Sequence, residues 1–423
     1  MEHDIVLEGR VVTPAGIVET EVGVSEGLVK ELRRGLRGSK RIRTEGCLIF
    51  PGFVDMHVHL REPGWERKED FRTGSAAAVH GGVTTVVDMP NNPVPTDNPE
   101  ALETKARLAK RAQVDVRFHG GISRKKPEAL SKIAGGVVGY KLYLSETTGA
   151  ERFPEGEMVR VFRLVSATGK PLSMHCEDQE SIDAAKRRLE GDSGPDSYAD
   201  LRPPEAEARA VRGVIRGLRD VPSLRANVCH ASTSETVGLV KDAGASGLSL
   251  RCEATLHHLF FTRRAMLENG FLRTNPPLRG ESDRQALVGG LKDGTVSFLV
   301  TDHAPHLADE KLTQGLAGVP GLDDFAHVVA WLIRNQGVDP VRIAEAASSN
   351  PAKHLGLGDR GVIAPGLRAD FAVLDLRSPE VVKNDDVKSK CGWSPYEGKE
   401  FPGRVRWVAR GGDLLVDDFE QVS

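Results

Sequence analysis

Residues 51–64 read Pro-Gly-Phe-Val-Asp-Met-His-Val-His-Leu-Arg-Glu-Pro-Gly, and this stretch decides how the rest of the chain is interpreted. Apolar residues alternate along it, which predicts a buried strand, and residues two apart on a strand project from the same face. His57 and His59 therefore point in one direction. Two imidazoles at a strand end, with Asp55 and Arg61 close by, suit a metal site with nitrogen ligands. Taken alone, so short a pattern favours one packed core histidine and one surface histidine over a metal site.

Composition narrows the classes of function. The chain has 423 residues and a net charge of -3, with 57 basic and 60 acidic residues well mixed. Nothing in that balance indicates a nucleic-acid or membrane surface, so the expected partner is a small molecule. The N-terminus shows no leader pattern and no apolar run has the length of a membrane span, so we expect a cytoplasmic protein. Five cysteines lie far apart without a Cys-x-x-Cys motif, which predicts reduced thiols.

The two ends of the chain are predicted to form one small β-sandwich module that frames a larger domain. Residues 1–49 and 356–423 alternate short β-type runs with Gly and Pro turns. Residues 50–355 alternate apolar strand-like runs with amphipathic helical stretches, which is typical of a parallel sheet wrapped by helices. Eight strands would close an α/β fold of the TIM (β/α)8 barrel type. The eight candidates lie near residues 52–58, 83–88, 114–119, 137–144, 171–175, 225–229, 247–252 and 296–301.

Several polar residues follow the carboxyl ends of these predicted strands, the face on which such barrels build active sites. Scattered histidines would not share this position, so a metal centre is favoured. Four histidines and one aspartate supply more nitrogen and oxygen ligands than one catalytic zinc needs, which implies two metals. These residues are His57, His59, His175, His230 and Asp302.

Lys141 and Arg61 are the two cations that need an explanation. Lys141 lies inside an otherwise apolar predicted strand, where an unpaired ammonium is costly. Carbamylation by carbon dioxide would turn it into an anionic bridge between two metals. A Schiff-base lysine and a structural lysine that reaches the rim are the alternatives. Arg61 offers a planar fork for a carboxylate, although a solvated rim charge is an equal alternative.

Seven motifs, in order along nearly the whole chain, resemble the dihydroorotases of the cyclic amidohydrolase superfamily. They are 57–64 (HVHLREPG), 81–85 (GGVTT), 89–93 (MPNNP), 141–144 (KLYL), 275–279 (NPPLR), 301–306 (TDHAPH) and 318–322 (GVPGL). The resemblance implies a barrel with two Zn²⁺ ions, in which the four histidines and Asp302 are ligands and the metals are bridged by carboxylated Lys141 and a hydroxide. One departure is that the family's frequent Thr-Pro-His-His reads Thr-Leu-His-His at 255–258, and His257 and His258 are assigned a structural role.

The resemblance also implies a reaction, the reversible hydrolysis of the cyclic amide of (S)-dihydroorotate to N-carbamoyl-L-aspartate in pyrimidine biosynthesis. Zinc lowers the pKa of bound water from 15.7 to about 7, so hydroxide would be available at neutral pH. Asp302 would take its proton and deliver it to the leaving ring nitrogen. By resemblance, the substrate carboxylate meets Arg61, Asn91 and His306, the ring amide meets Asn275 and the backbone near Pro320 and Gly321, and His59 is a further substrate contact.

Alternatives stay open at several points. A hydantoinase or allantoinase would share the zinc centre and Lys141 but has less use for a carboxylate clamp. A non-catalytic barrel without metals is the alternative from another class, and the full ligand set argues against it. The Gly-rich residues 307–321 are expected to form a mobile loop over the site or a plain connection. A homo-oligomer and an association with a carbamoyltransferase are both open as partner arrangements.

Overall fold

The strands of the computed structural model, which describes residues 2–190 and 197–422, form two large sheets and a two-stranded ribbon. The N-terminal strands are β1 (Glu2–Thr13), β2 (Gly16–Ser25), β3 (Leu28–Leu32) and β4 (Arg37–Pro51). The central strands are β5 (Phe53–Val58), β6 (Val83–Asp88), β7 (Asp115–Gly120), β8 (Gly139–Tyr143), β9 (Leu172–His175), β10 (Ala226–Val228), β11 (Leu250–Thr255) and β12 (Val296–Val300). The C-terminal strands are β13 (Phe371–Asp375), β14 (Glu380–Val381), β15 (Glu400–Phe401), β16 (Arg404–Arg410), β17 (Asp413–Asp417) and β18 (Glu420–Gln421).

The eight central strands pair in chain order, each parallel to the next, and form a nearly closed barrel. Its two edge strands meet where the N–H of His59 donates to the carbonyl of His303 at 2.8 Å. Every residue of β5, β6, β8 and β12 is buried, as expected of parallel strands covered on both faces. The predicted TIM barrel is confirmed.

Helices cover the outside of the barrel, and several begin at capping side chains that satisfy free backbone N–H groups. Asp70 accepts from the backbone of Arg72 and Thr73 at the start of the first helix. No helix in the described ranges combines the length and the hydropathy that a membrane span requires. The α-helices are α1 (Phe71–His80), α2 (Pro99–Leu108), α3 (Glu155–Ala167), α4 (Gln179–Arg188), α5 (Ser197–Leu201), α6 (Pro204–Asp220), α7 (Ser234–Ala245), α8 (Leu256–Phe260), α9 (Arg263–Glu268), α10 (Glu281–Asp293), α11 (Ala308–Gln314), α12 (Phe325–Arg334), α13 (Pro340–Ala344) and α14 (Asn350–Leu355). A π-helical turn covers Glu345–Ser349, and 3-10 turns cover Ala109–Arg111, Pro127–Ile133, Gly270–Leu272 and Asn384–Asp386.

The second large sheet combines strands from both ends of the chain, in the order β18-β17-β16-β13-β4-β1-β2-β3. β4 and β13 pair antiparallel, with Pro51 opposite Phe371, and this pairing joins the two ends. The sheet encloses its own apolar cluster, which includes Val11, Ile49 and Trp407. This arrangement agrees with the predicted small β-sandwich, while the domain boundaries after residues 49 and 355 stay predictions.

The segment 307–321 contains the helix α11, and hydrogen bonds from Lys311 connect this helix to the residues around it. The buried ammonium of Lys311 donates to the carbonyls of Leu316 at 2.7 Å, Gly318 at 2.8 Å and Arg273 at 3.3 Å. Burial, together with the charges of Arg273 and Arg61, lowers the pKa of Lys311 to about 7. The proposed mobility of this segment stays a prediction, and Lys311 is the group that would oppose it.

We expect Lys311→Met to loosen this segment, because it leaves three carbonyl oxygens without their shared donor. Losing a donor to a mostly buried acceptor costs about 2 kcal/mol, which corresponds to roughly thirtyfold faster exchange through local opening. Hydrogen exchange of the amides in residues 307–318, followed by mass spectrometry, measures the effect. Lys292→Met, at an exposed lysine, is the control. Equal exchange in wild type and Lys311→Met would show that the lysine is not an anchor.

The contact between α12 and the ribbon predicts a pH-dependent stability. Nε2 of His327 donates to Glu380 at 2.8 Å, and Asp324 lies 3.5 Å from the other ring nitrogen. Burial alone would lower the pKa of His327, but the two carboxylates outweigh burial and raise it to about 9. The charged imidazole therefore contributes about 3 kcal/mol below about pH 6.5, and this contribution is lost as the pH rises through about 9.

The free energy of unfolding in urea, measured from pH 6.5 to 9, should decline less steeply in His327→Gln than in wild type. The reason is that the amide has no proton to lose over this window. Parallel pH profiles for the two proteins would contradict the assignment.

Candidate metal centre and substrate cavity

The carboxyl ends of the barrel strands bring the six predicted metal ligands to one cavity. The side chains come from β5, β8 and β9 and from the turns that follow β5, β10 and β12. Three further predicted substrate contacts, Arg61, Asn91 and Asn275, line the same cavity. The metal-ligand candidates on its wall are His57, His59, Lys141, His175, His230 and Asp302.

His57, His59 and Asp302 form the first set of converging atoms. Oδ1 of Asp302 lies 3.3 Å from Nε2 of His57 and 3.1 Å from Nε2 of His59. One ligand atom from each of the three residues lies within 4.8 Å of the others. Two imidazoles and a carboxylate at this spacing are suited to holding one divalent cation.

His175 and His230 form the second set, and Lys141 lies beside the first. Nδ1 of His175 is 3.0 Å from Nε2 of His230, and the ring centres of His57 and His230 are 5.4 Å apart. Nζ of Lys141 is 3.5 Å from Nε2 of His57 and 2.7 Å from the thiol sulfur of Cys229. The two sets of side chains therefore lie next to each other in one cavity.

Acceptors behind the histidines fix which ring nitrogen faces the cavity. Nε2 of His175 donates to Glu177 at 2.7 Å, and Nδ1 of His59 donates to Oδ1 of Asn91 at 2.9 Å. Nδ1 of His57 hydrogen-bonds to Glu253. A histidine whose remote nitrogen donates in this way presents a lone pair on its other nitrogen, which is the arrangement found behind metal ligands.

Of these orienting groups, Glu177 and Glu253 were absent from the sequence-based prediction, and Asn91 was predicted only as a substrate contact. Glu177 lies two residues after His175 in the sequence, and an acid so close to a candidate ligand could have been recognised as its partner. Glu177 also accepts a hydrogen bond from Arg202 at 2.6 Å. Glu253 lies in the buried strand β11, and an acid at such a position indicates a polar partner. The sequence could not identify that partner, because His57 is 196 residues away. Cys229, His57 and Glu253 also bring ligand atoms within 4.8 Å of one another.

The electrostatics of the cavity match the chemistry of these donors. Burial lowers the pKa of His59 to about 3 and the pKa values of His175 and His230 below their usual range, so these imidazoles are neutral at pH 7. Burial alone would raise the pKa of Asp302, but His57 and His59 hold it well below its usual range. Neutral imidazoles and an ionised carboxylate are the forms that bind metal ions.

Three residues of the site adopt backbone conformations that L-residues rarely take. The φ angles are +63° at Arg61, +37° at His230 and +47° at Asp302. They are three of the seven non-glycine residues with positive φ in the described part of the chain. Such positions persist only where the surroundings hold them, and they concentrate at functional sites. The strained backbone turns these side chains into the cavity just beyond the strand ends.

The remaining predicted substrate contacts lie behind the cavity wall. His306 does not line the cavity, but its Nε2 lies 3.3 Å from Nη2 of Arg61, which does. Pro320 and Gly321 are buried and do not line the cavity. The N–H of Gly321 donates to Nδ1 of His303 at 3.2 Å, which commits this amide elsewhere.

Three other side chains on the wall, Tyr143, Thr147 and Thr148, were not singled out from the sequence. The hydroxyl of Tyr143 is buried and has no hydrogen-bond partner among the described residues. Nε2 of His258 donates to the carbonyl of Pro276 at 3.2 Å, in keeping with the structural role assigned to it. Nε2 of His257 is buried without a hydrogen-bond partner in the described chain.

Comparison with known proteins gives the family. Residues 48–414 match the model of the amidohydrolase family. The chain is 32% identical over 417 residues to a dihydroorotase of Methanosarcina acetivorans, covering 94% of this chain and 89% of the relative. A dihydroorotase of Halobacterium salinarum is 36% identical, with 83% of this chain and 82% of the relative covered.

Solved structures show the same architecture. An L-hydantoinase (dihydropyrimidinase) from Arthrobacter aurescens superposes with a TM-score of 0.95 at 24% identity, covering 100% of this chain and 98% of that chain. A D-hydantoinase (dihydropyrimidinase) from a Thermus species gives 0.90 at 25% identity, with 99% and 96% covered. The family and the donor set together indicate a metal cofactor. The resemblance to dihydroorotases is confirmed, and the chain belongs to the amidohydrolase family of enzymes.

Proposed function

We propose that this enzyme is a dihydroorotase, which interconverts (S)-dihydroorotate and N-carbamoyl-L-aspartate. The observation that carries the proposal is the buried guanidinium of Arg61 on the wall of the cavity that also holds the candidate metal ligands. A substrate with a carboxylate next to a cyclic amide complements such a wall, because Arg pairs with carboxylates in a planar fork. Relatives named dihydroorotase that align over most of the chain support the same assignment.

The cofactor proposed is a pair of Zn²⁺ ions. His57, His59 and Asp302 would hold one ion and His175 and His230 the other, with Lys141 as a carboxylated bridge. The neutral imidazoles with lone pairs facing the cavity fit this assignment. When bound, zinc supplies Lewis-acid polarisation of a carbonyl and lowers the pKa of its water to about 7.

Arg61 and Asn275 would bind and orient the substrate. Burial lowers the pKa of Arg61 to about 10, which leaves the guanidinium charged at pH 7, and its Nε donates to the carbonyl of Pro305 at 3.1 Å. Nη2 also lies 3.3 Å from Nε2 of His306, which leaves Nη1 and the second N–H of Nη2 for a carboxylate. The hydroxyl of Tyr198 donates to Oδ1 of Asn275 at 2.6 Å, which would leave the amide nitrogen of Asn275 to donate to a ring carbonyl.

Asp302 would move the proton. Its carboxylate is ionised, lies on the cavity wall and is fixed by a backbone that the neighbouring residues hold in place. The backbone N–H of Thr301, immediately before it, donates to Asp55 at 3.2 Å. In hydrolysis Asp302 accepts a proton from the attacking water and donates it to the leaving ring nitrogen, and ring closure uses the same path in reverse.

The decisive test of the function is turnover of dihydroorotate and N-carbamoyl-L-aspartate by zinc-loaded, bicarbonate-treated enzyme. Arg61→Ala should lower kcat/KM for dihydroorotate by about 10²–10³, because two charge-assisted hydrogen bonds to the carboxylate are lost. Arg61→Lys, which keeps the charge without the fork, should recover part of the loss. A wild-type enzyme that hydrolyses hydantoin but not dihydroorotate would overturn the assignment.

Lys141→Ala should lower both zinc content and activity, since the bridge between the two sets of ligands is gone. A small carboxylic acid added to the variant should restore part of each by occupying the same space. Metal content by mass spectrometry and the rate of dihydroorotate hydrolysis are the readouts, and Lys132→Ala, at an exposed lysine, is the control. Two zinc ions per chain with a wild-type rate in Lys141→Ala would remove the bridge from the scheme.

A further inference from the structure

A second cavity, of about 530 Å³, lies at the end of the barrel opposite the metal-ligand candidates. Arg225 immediately precedes β10, Ser249 immediately precedes β11, and Ser297 is the second residue of β12. All three line the cavity, so it opens where these strands begin. The other side of the cavity is formed by the segment from α13 to α14.

The walls of this cavity carry more positive than negative charge. Four cations, Arg225, Arg251, Arg342 and Lys353, face two carboxylates. Both carboxylates are already paired, since Asp293 lies 2.9 Å from Nζ of Lys241 and Glu345 pairs with Arg342. Arg251 and Lys353 form no ion pair with any residue in 2–190 or 197–422. The wall therefore offers free cationic groups to an anion.

Two buried nitrogen atoms in the wall also lack hydrogen-bond partners among the described residues. One is Nε2 of His354, whose residue is 9% exposed, and the other is Nε of Arg342. The ring of His354 packs on Phe298 at 5.0 Å between centres, and its carbonyl accepts from Arg225 at 2.6 Å. The imidazole is therefore held in position with an unused nitrogen. Buried polar atoms are normally paired, so these two nitrogens, with Oε2 of Glu345, mark a wall whose hydrogen bonding is incomplete within the described chain.

The backbone beside these groups is irregular in a way that brings them together. The π-helical turn Glu345–Ser349 lies between α13 and α14. Turns of this kind are rare and occur frequently at functional sites. The turn carries Arg342 on one side and Lys353 and His354 on the other to the same cavity.

We propose that this cavity binds a phosphate-bearing small molecule, either inorganic phosphate or a phosphorylated metabolite such as a nucleotide. Phosphate oxygens accept several hydrogen bonds at once, and Arg and Lys are the side chains that proteins use to bind them. The volume falls in the range of small-molecule pockets. A concave, cation-lined wall favours a small anion over a protein surface. The proposal does not depend on the catalytic assignment, because binding is measured directly.

Calorimetric titration of the zinc-loaded enzyme with inorganic phosphate, pyrophosphate and ATP, at constant ionic strength, tests the proposal. We expect saturable binding of at least one probe. We expect it to be about tenfold weaker or more in Arg251→Ala/Lys353→Ala, since charge-assisted contacts are lost. Saturation by phosphate alone identifies a simple phosphate site, and saturation by ATP only identifies a nucleotide site. Both affected residues are exposed, so the double variant should fold.

Arg72→Ala/Lys132→Ala, which removes two exposed cations elsewhere, is the matched control and should bind as wild type does. Hydrogen exchange gives an independent readout, because a bound probe should protect residues 342–354 in wild type and in the control variant but not in Arg251→Ala/Lys353→Ala. Absence of saturable binding, or equal affinity in the two double variants, would overturn the proposal. Binding of poly-glutamate but of none of the three phosphate probes would also overturn it, in favour of a docking surface for an acidic protein.

Discussion

The close approach of the Asp302 carboxylate to the ring nitrogens of His57 and His59 is the constraint on which the functional end of the barrel depends. A carboxylate whose side chain is only 13% exposed is stabilised by positive charge or donors that face it. His57 and His59 face it at 3.3 and 3.1 Å, but their remote nitrogens already donate to Glu253 and Asn91. The remaining ring nitrogen of each, Nε2, lies in the same space as the carboxylate oxygen. A divalent cation is the partner that resolves this arrangement, and the acceptors behind the histidines make sense as groups that orient its ligands.

The side chains of the candidate site are positioned by backbone in rarely populated conformations at the strand ends. Parallel strands end at one rim, and the chain turns sharply there, at Arg61, His230 and Asp302. Each turn is held by nearby bonds, as where the backbone N–H of His230 donates to Glu253 at 3.1 Å. Glu253 thus fixes both a side chain from β5 and the backbone after β10, which ties two distant stretches of sequence to one carboxylate.

The sequence predicted those features that depend on local pattern. β6 and β12 match their predicted ranges closely because all their residues are buried and their ends are marked by turns. β11 lies about three residues beyond its prediction, because the alternation from Gly247 to Cys252 looked like a strand while the buried strand includes Glu253. The acid inside this strand is explained by its partners His57, Asn227 and the backbone N–H of His230, and these contacts are properties of the closed barrel. The role of Gly321 also depends on a contact that the sequence does not show, because its backbone N–H donates to Nδ1 of His303.

The proposed substrate contacts and the metal-ligand candidates are hydrogen-bonded to one another on the cavity wall. Oδ1 of Asn91 accepts from His59, and its amide nitrogen donates to the carbonyl of Thr148 at 2.8 Å, on another wall of the cavity. If Asn91 rotated toward a substrate, it would lose the hydrogen bond that fixes the tautomer of His59. Arg61 is held in a similar way by Pro305, three residues after Asp302. The proposed carboxylate contact Arg61 and the proposed proton-transfer residue Asp302 are therefore positioned by one short stretch of backbone, residues 302–305.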